Sequence, residues 1–324
     1  MAVWSSLLSS RVTLGAVAVT AAVVVTAAVF LSKRKPKKYE LVGKVTALNC
    51  YPIKSCKGIT NDVAFCTVSG MRMSNAMDRH FVIVRPNGDF VTQRQLPKMA
   101  GIETVCDGQD LVLRADGMPD IRVPLYPKLD RKKVVPCRVW KSQLEAQDCG
   151  DEVASWISEY LSEDLRLLVL VPGLEMRQSP TANAISTDKV AFPDESPYHI
   201  ITEESLANLV SRIEPSPDGQ ITVKNFRPNI VIQGTKEPWD EDNWSHLRIG
   251  NNLKMRVLAP CDRCLLTTVN PSTRDRRSDE EPLKTLRTFR MFPEVSKAPL
   301  FGVFAGVDVE STIRIGDPVY AVRK

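Results

Sequence analysis

Two cysteines three residues apart, in the run Pro260-Cys261-Asp262-Arg263-Cys264, form the one CxxC pair in a chain of 324 residues. Sulfur pairs at this spacing serve three kinds of chemistry. A structural zinc site needs about four nitrogen or sulfur ligands. No second CxxC or Cys/His pair of suitable spacing accompanies this one, and His80, His199 and His246 are scattered. A thioredoxin-like dithiol sits at a helix N-terminus, where the dipole lowers the thiol pKa, whereas the flanks LKMRVL and LLTTV both read as strands. The third possibility is one thiolate bound to a soft, redox-active metal that an organic cofactor mainly holds, with other positions open for reaction. Two thiols buried in a strand would satisfy the same spacing. A cofactor rich in phosphate and heteroatoms would require converging cations and amides. Candidates are Lys54 and Ser55 in the turn after a strand, Arg79 at the head of another, Ser196 before a helix, and Arg227 with Asn229 in NFRPN. In that last run Pro228 fixes the backbone at a strand mouth.

The elements that must place these residues are mostly strands. After the first 38 residues, the segments 41–51, 79–85, 90–93, 111–114 and 134–140 read as short strands with turn punctuation, and Asn87-Gly88 marks a hairpin. A helix is predicted over 151–161, where Val153, Trp156, Ile157, Tyr160 and Leu161 fall on one face and the acidic start suits the dipole. The apolar run 165–171 ends at Pro172-Gly173, a domain boundary that divides the body into 39–172 and 173–324. Thr202 caps a second helix with the stripe Leu206, Leu209, Val210 and Ile213. Strands follow at 229–233, 254–258, 265–269, 300–305 and 313–322, and the mixed-charge run 274–281 reads as a solvated loop. Many strands, few helices and no βαβ rhythm predict an α+β fold built on barrels.

Charge and hydropathy add an address. The chain holds 43 Lys+Arg against 38 Asp+Glu, but six of the basic residues and no acid lie in residues 1–38. The body is therefore near neutral, which argues against nucleic-acid binding. Residues 12–32 carry no charge. As a helix they would span ~31 Å, about the hydrocarbon thickness of a bilayer. The KRKPKK run that follows predicts a signal anchor at 1–38 with the body in the cytosol. Eight cysteines in that compartment are expected to be reduced.

Four motifs in order, YPIKSCKG at 51–58, FVTQRQLPKM at 90–99, NFRPNIVI at 225–232 and PCDRCLLTTVNPST at 260–273, resemble the mitochondrial amidoxime-reducing component family. The likeness runs over nearly the whole chain. It implies a MOSC N-terminal β-barrel domain followed by a β-barrel-like MOSC domain, the name denoting the C-terminal module of molybdenum-cofactor sulfurases. It also implies a molybdenum–molybdopterin cofactor, with Cys264 as metal ligand and Cys261 in support. Lys54, Ser55, Arg79, Ser196, Arg227 and Asn229 match positions that hold the pterin and its phosphate, and Asp262, also expected to bind the cofactor, replaces a Ser or Thr that often contacts it. The implied activity is reduction of amidoximes, hydroxamic acids and N-hydroxyguanidines, with electrons from NADH through cytochrome b5 reductase and cytochrome b5. The implied place is the mitochondrial outer membrane, with the peroxisome as a further address. A MOSC-type carrier of cofactor or persulfide, without reductase activity, is the alternative.

Overall fold

The computed structural model describes residues 38–324; the expected anchor and all of its basic flank but Lys38 lie outside them. Among the described residues no helix is long and apolar enough to cross a membrane. The body is mostly β. Its largest sheet closes on itself: Ile230–Gln233, Tyr198–Thr202, Leu300–Val309, Leu253–Asp262, Trp244–Ile249, Pro318–Arg323 and Glu40–Cys50 pair in that order, and Glu40–Cys50 pairs back to Ile230–Gln233. A ring of strictly antiparallel strands must be even in number, so seven strands demand a parallel neighbour pair. That pair is Tyr198–Thr202 with Ile230–Gln233, joined through the helices Glu203–Val210 and Val223–Phe226. This single βαβ unit was absent from the sequence reading, because one crossover among many hairpins leaves no rhythm to detect.

The barrel interior is a dry cluster of Val45, Leu48, Tyr198, Ile200, Val303, Ala305 and their neighbours. Side chains alternate across a strand, so His199 and Phe304 face outward from the same wall. Outside the barrel, Ile201, Phe226, Val231, Leu286 and Phe301 form a second cluster beneath the helices. Phe301 reaches it because the pairing slips between Pro260 and Asp262, with Gly302 at φ +76° absorbing the extra residue.

The earlier part of the chain forms smaller sheets. Phe81–Val84 is buried on both faces, sending Phe81 and Ile83 into one cluster and Val82 and Val84 into another. The helix Asp151–Leu161 covers the first of these with Val153, Trp156, Ile157, Tyr160 and Leu161, the stripe expected from spacing. Sheet membership crosses chain order: Glu40–Cys50 is a barrel strand, and Val63–Thr67 pairs with Ser311–Arg314.

Several expectations are corrected. The segment 265–269 is not a strand but the 3₁₀ turn Leu265–Thr268. The hydroxyls of Thr267 and Thr268 donate to the Cys264 and Leu265 carbonyls at 3.0 and 2.8 Å, offering the backbone an alternative to a ladder. The Asn87-Gly88 turn forms, but its second arm makes only the single bridge Val84–Phe90. The run 313–322 breaks into Ser311–Arg314 and Pro318–Arg323 around a turn. Leu283–Phe289 is a helix that the sequence reading did not contain. Nor is 274–281 merely solvated: Arg277 is 3% exposed, donating to the Asp218 and Gly219 carbonyls and paired with Asp279.

A Cβ at Gly302 would lie 2.6 Å from both His199 Nε2 and the Ile200 carbonyl oxygen. Left-handed backbone and overpacking each cost ~1–3 kcal/mol. Gly302→Ala should therefore destabilise the protein by roughly 2–5 kcal/mol in urea unfolding; a change below about 0.5 kcal/mol would contradict this account of the bulge.

Candidate functional site

Against the outer wall of the barrel lies a cavity of about 840 Å³. All eight residues named from the sequence line it: Lys54, Ser55, Arg79, Ser196, Arg227, Asn229, Asp262 and Cys264. They come from separate segments spread between Lys54 and Cys264. The chain leaves Glu40–Cys50 into a tight turn that is held from two sides. Tyr51 N donates to Asp78 Oδ1 at 2.8 Å, and Lys54 N to the Phe81 carbonyl at 2.9 Å. Ser55 takes φ +67°, and its carbonyl accepts from Gln93 Nε2 at 2.7 Å.

The turn aims Lys54 inward. Its side chain is buried, and Nζ donates to the Phe192 carbonyl at 2.7 Å and to Asp194 Oδ1 at 2.5 Å. An ammonium has three N–H groups, so one is left for the cavity. Burial pulls the Lys54 pKa down to about 8, against the pull of Asp194 in the other direction. For Asp194, burial works upward, but Lys54, the Trp140 indole and Arg94 outweigh it and hold the carboxylate ionised.

Two guanidiniums share one aromatic ring beside it. Arg79 lies 4.8 Å and Arg227 4.1 Å from the Tyr51 centroid. Both arginines have left-handed backbone, at φ +49° and +55°, and Arg79 Nη2 donates to the Arg227 carbonyl at 3.3 Å. Arg79 is paired with buried Asp78. Among the described residues Arg227 has no such partner: it is 8% exposed and its Nη2 is buried with no hydrogen-bond acceptor. Burial lowers its pKa to about 10, Tyr51 opposing and Arg79 reinforcing the shift. A buried donor on an uncompensated cation is costly, and an anion in the cavity would relieve it.

Asn229 and Ser196 are partly committed to the protein. Asn229 Oδ1 accepts from His199 N at 3.1 Å and Nδ2 donates to the Asn49 carbonyl at 3.2 Å, stitching the parallel pair to the first strand. Ser196 Oγ donates to the Ala305 carbonyl at 2.9 Å, leaving its lone pairs as acceptors. His199 Nε2 sits 3.3 Å from the Phe301 carbonyl. Burial, with Arg263 adding to it, puts the imidazole pKa well below its ordinary value, so the ring is neutral.

The two sulfurs differ in kind. Cys261 is 2% exposed, accepts from Arg263 Nη1 at 2.8 Å, and is pushed up to about 12 by burial, so it stays a thiol. Cys264 is exposed and directly precedes the 3₁₀ turn, with Arg94 Nη1 at 3.5 Å from its sulfur. Among the described residues no three His, Cys, Asp or Glu side chains gather as a protein-only metal cage. Asp262 is exposed and accepts from Ser296 Oγ at 3.2 Å.

Sequence reasoning missed Arg94, Trp140, Arg177, Asp194 and Arg263, which share the cavity. Two were within reach: Arg94 lies inside FVTQRQLPKM and Arg263 inside the CxxC run. The whole lining has nine Lys or Arg side chains against four carboxylates, so an anionic, metal-bearing group with one open protein sulfur suits the donor set.

Fold and site define a MOSC protein. Residues 42–164 match the MOSC N-terminal beta barrel domain and 187–320 the MOSC domain. The chain is 38% identical over 297 residues to mitochondrial amidoxime reducing component 2 of Bos taurus, covering 88% of this chain and 84% of that one. It is 38% identical over 295 residues to component 1 of Homo sapiens, covering 89% and 85%. With component 1 of Danio rerio the identity is 35% over 317 residues, covering 96% and 95%. The chain belongs to the mitochondrial amidoxime-reducing component family.

A dianion in the cavity would favour the charged form of Lys54, so binding takes up a proton once pH exceeds about 8. Inorganic phosphate should bind more weakly as pH rises from about 8 to 9.5, by at most ~tenfold per unit. In calorimetric titration Lys54→Met should flatten this slope and weaken binding at pH 8; an identical slope in the variant would remove Lys54 from the site.

Proposed function

We propose that this chain is a molybdenum-cofactor-dependent reductase of N-hydroxylated compounds, taking amidoximes, hydroxamic acids and N-hydroxyguanidines to amidines, amides and guanidines respectively. The observation that carries the reading is an exposed Cys264 sulfur facing a cavity where a buried Arg227 nitrogen has no acceptor. The names that the relatives bear support amidoximes among the substrates.

When bound, the molybdenum cofactor would supply the two-electron chemistry that cleaves the N–O bond, two electrons and two protons giving the reduced nitrogen and water. The protein's part is to hold and orient. Cys264 would provide the metal's protein sulfur. Arg227, Arg79 and Lys54 would neutralise the pterin phosphate, and charge-assisted hydrogen bonds of this kind are the strong ones. Ser55 and Ser196 would add polar contacts, Asn229 would keep the strand mouths in register, and Asp262 would line the rim. Cys261, protonated and sealed under Arg263, supports the loop without binding metal.

The electrons would come from NADH through cytochrome b5 reductase and cytochrome b5. A bilayer anchor at residues 12–32 would place the body on the cytosolic face of the mitochondrial outer membrane. Shared tethering raises effective concentration without tight interfaces.

Cys264→Ala should abolish benzamidoxime-dependent oxidation of reduced cytochrome b5 while urea unfolding is unchanged within about 0.5 kcal/mol. Cys261→Ala should retain activity and cost about 1 kcal/mol of stability. About one molybdenum per chain by elemental analysis is expected for the wild type. Molybdenum without substrate-dependent turnover would favour the carrier reading, and retained activity in Cys264→Ala would end the present one.

A further inference from the structure

The cavity wall holds a feature to which the cofactor assignments above give no role. Val134–Val139 and Ser142–Asp148 form a hairpin whose two-residue turn is Trp140-Lys141. The first turn position has φ +56°, for which Gly or Asn is the usual choice and a bulky residue is strained. Trp140 is nevertheless 48% exposed, so hydrophobic burial does not explain it. It is held from three sides instead. Its Nε1 donates to Asp194 Oδ1 at 2.8 Å, Phe90 packs edge-on at 5.3 Å, and the Arg94 guanidinium lies 4.4 Å from its ring.

Arg94 bridges from this ring to the exposed sulfur of Cys264, 3.5 Å from Sγ. Its neighbours Arg85 and Arg138 are paired with Glu163 and Asp89. Among the described residues Arg94 has no salt bridge, and neither has the exposed Lys141 on the cavity wall. An aromatic face, a planar cation stacked on it and a second cation thus stand beside Cys264.

We propose that Trp140, Arg94 and Lys141 form the substrate-recognition surface, selecting flat, conjugated N-hydroxylated compounds that carry a carboxylate. The conjugated plane stacks on Trp140 and the Arg94 guanidinium, and the carboxylate pairs with Arg94 and Lys141. The strained turn is the cost of presenting an indole where an asparagine would be more stable. This inference rests on the reductase reading and names the substrates of the same site.

The test uses full-length holoprotein in detergent with a chemical reductant, so that no protein partner is needed. The kcat/KM for 4-carboxybenzamidoxime is divided by that for acetamidoxime. Trp140→Asn should lower this ratio about tenfold, the equivalent of ~1.4 kcal/mol, while raising the urea midpoint because the turn strain is relieved. A tryptophan kept for folding alone would lower the midpoint and leave the ratio unchanged, which would overturn the proposal. Arg94→Gln and Lys141→Gln should lower the preference for 4-carboxybenzamidoxime over benzamidoxime, and an unchanged preference in both would refute the carboxylate contact. Binding of 4-carboxybenzoate, read as tryptophan quenching, separates the two readings. Saturable quenching in the wild type that disappears in Trp140→Phe, with no amidoxime turnover, would support the recognition surface and sink the reductase. Turnover with equal quenching in both proteins would do the reverse.

Discussion

One aromatic ring clamped by two like charges organises this protein. Arg79 and Arg227 reach the Tyr51 ring from segments far apart in sequence, and one carboxylate, Asp78, pairs directly with Arg79 alone. Guanidiniums tolerate such a place better than ammoniums do, because they are weakly hydrated and stack on aromatic faces. The ring's quadrupole and the Arg227 carbonyl that accepts from Arg79 offset part of the repulsion. The remainder is a buried positive potential with one nitrogen unsatisfied. Much else in the site serves to keep that potential dry and correctly shaped, from the Lys54 turn to the Asn229 stitch.

The barrel supplies the rigidity that such a cluster requires. Seven strands close only with one parallel pair, and its crossover brings the NFRPN run to the mouth between the first strand and the wall that carries His199. Gly302 then lets the neighbouring strand slip by a residue, which turns Phe301 outward beneath the helices. Both devices are backbone events. Each determines which side chains face the cavity, and neither is a contact that an anion would make.

Cys261 and Cys264 show how position separates residues of identical chemistry. One ends in a strand under a guanidinium and is kept neutral by burial; the other stands after the strand has ended, exposed beside Arg94. The 3₁₀ turn that follows the second sulfur forms because two threonine hydroxyls bond back to carbonyls. The β-branched and apolar residues of LLTTV favour a strand, and local hydrogen bonding overrides that preference.

Motif and periodicity in the amino-acid sequence were enough to establish the family likeness, the helix at 151–161, most barrel strands and the eight residues that gather at the cavity, because each is a local pattern of spacing or type. Tertiary structure alone decided that the first strand closes the C-terminal barrel, that Arg277 is buried, and that Asp194 joins Lys54 to Trp140. These pairings span from tens of residues to most of the body. Burial is a property of the packed whole, and no window along the chain contains it.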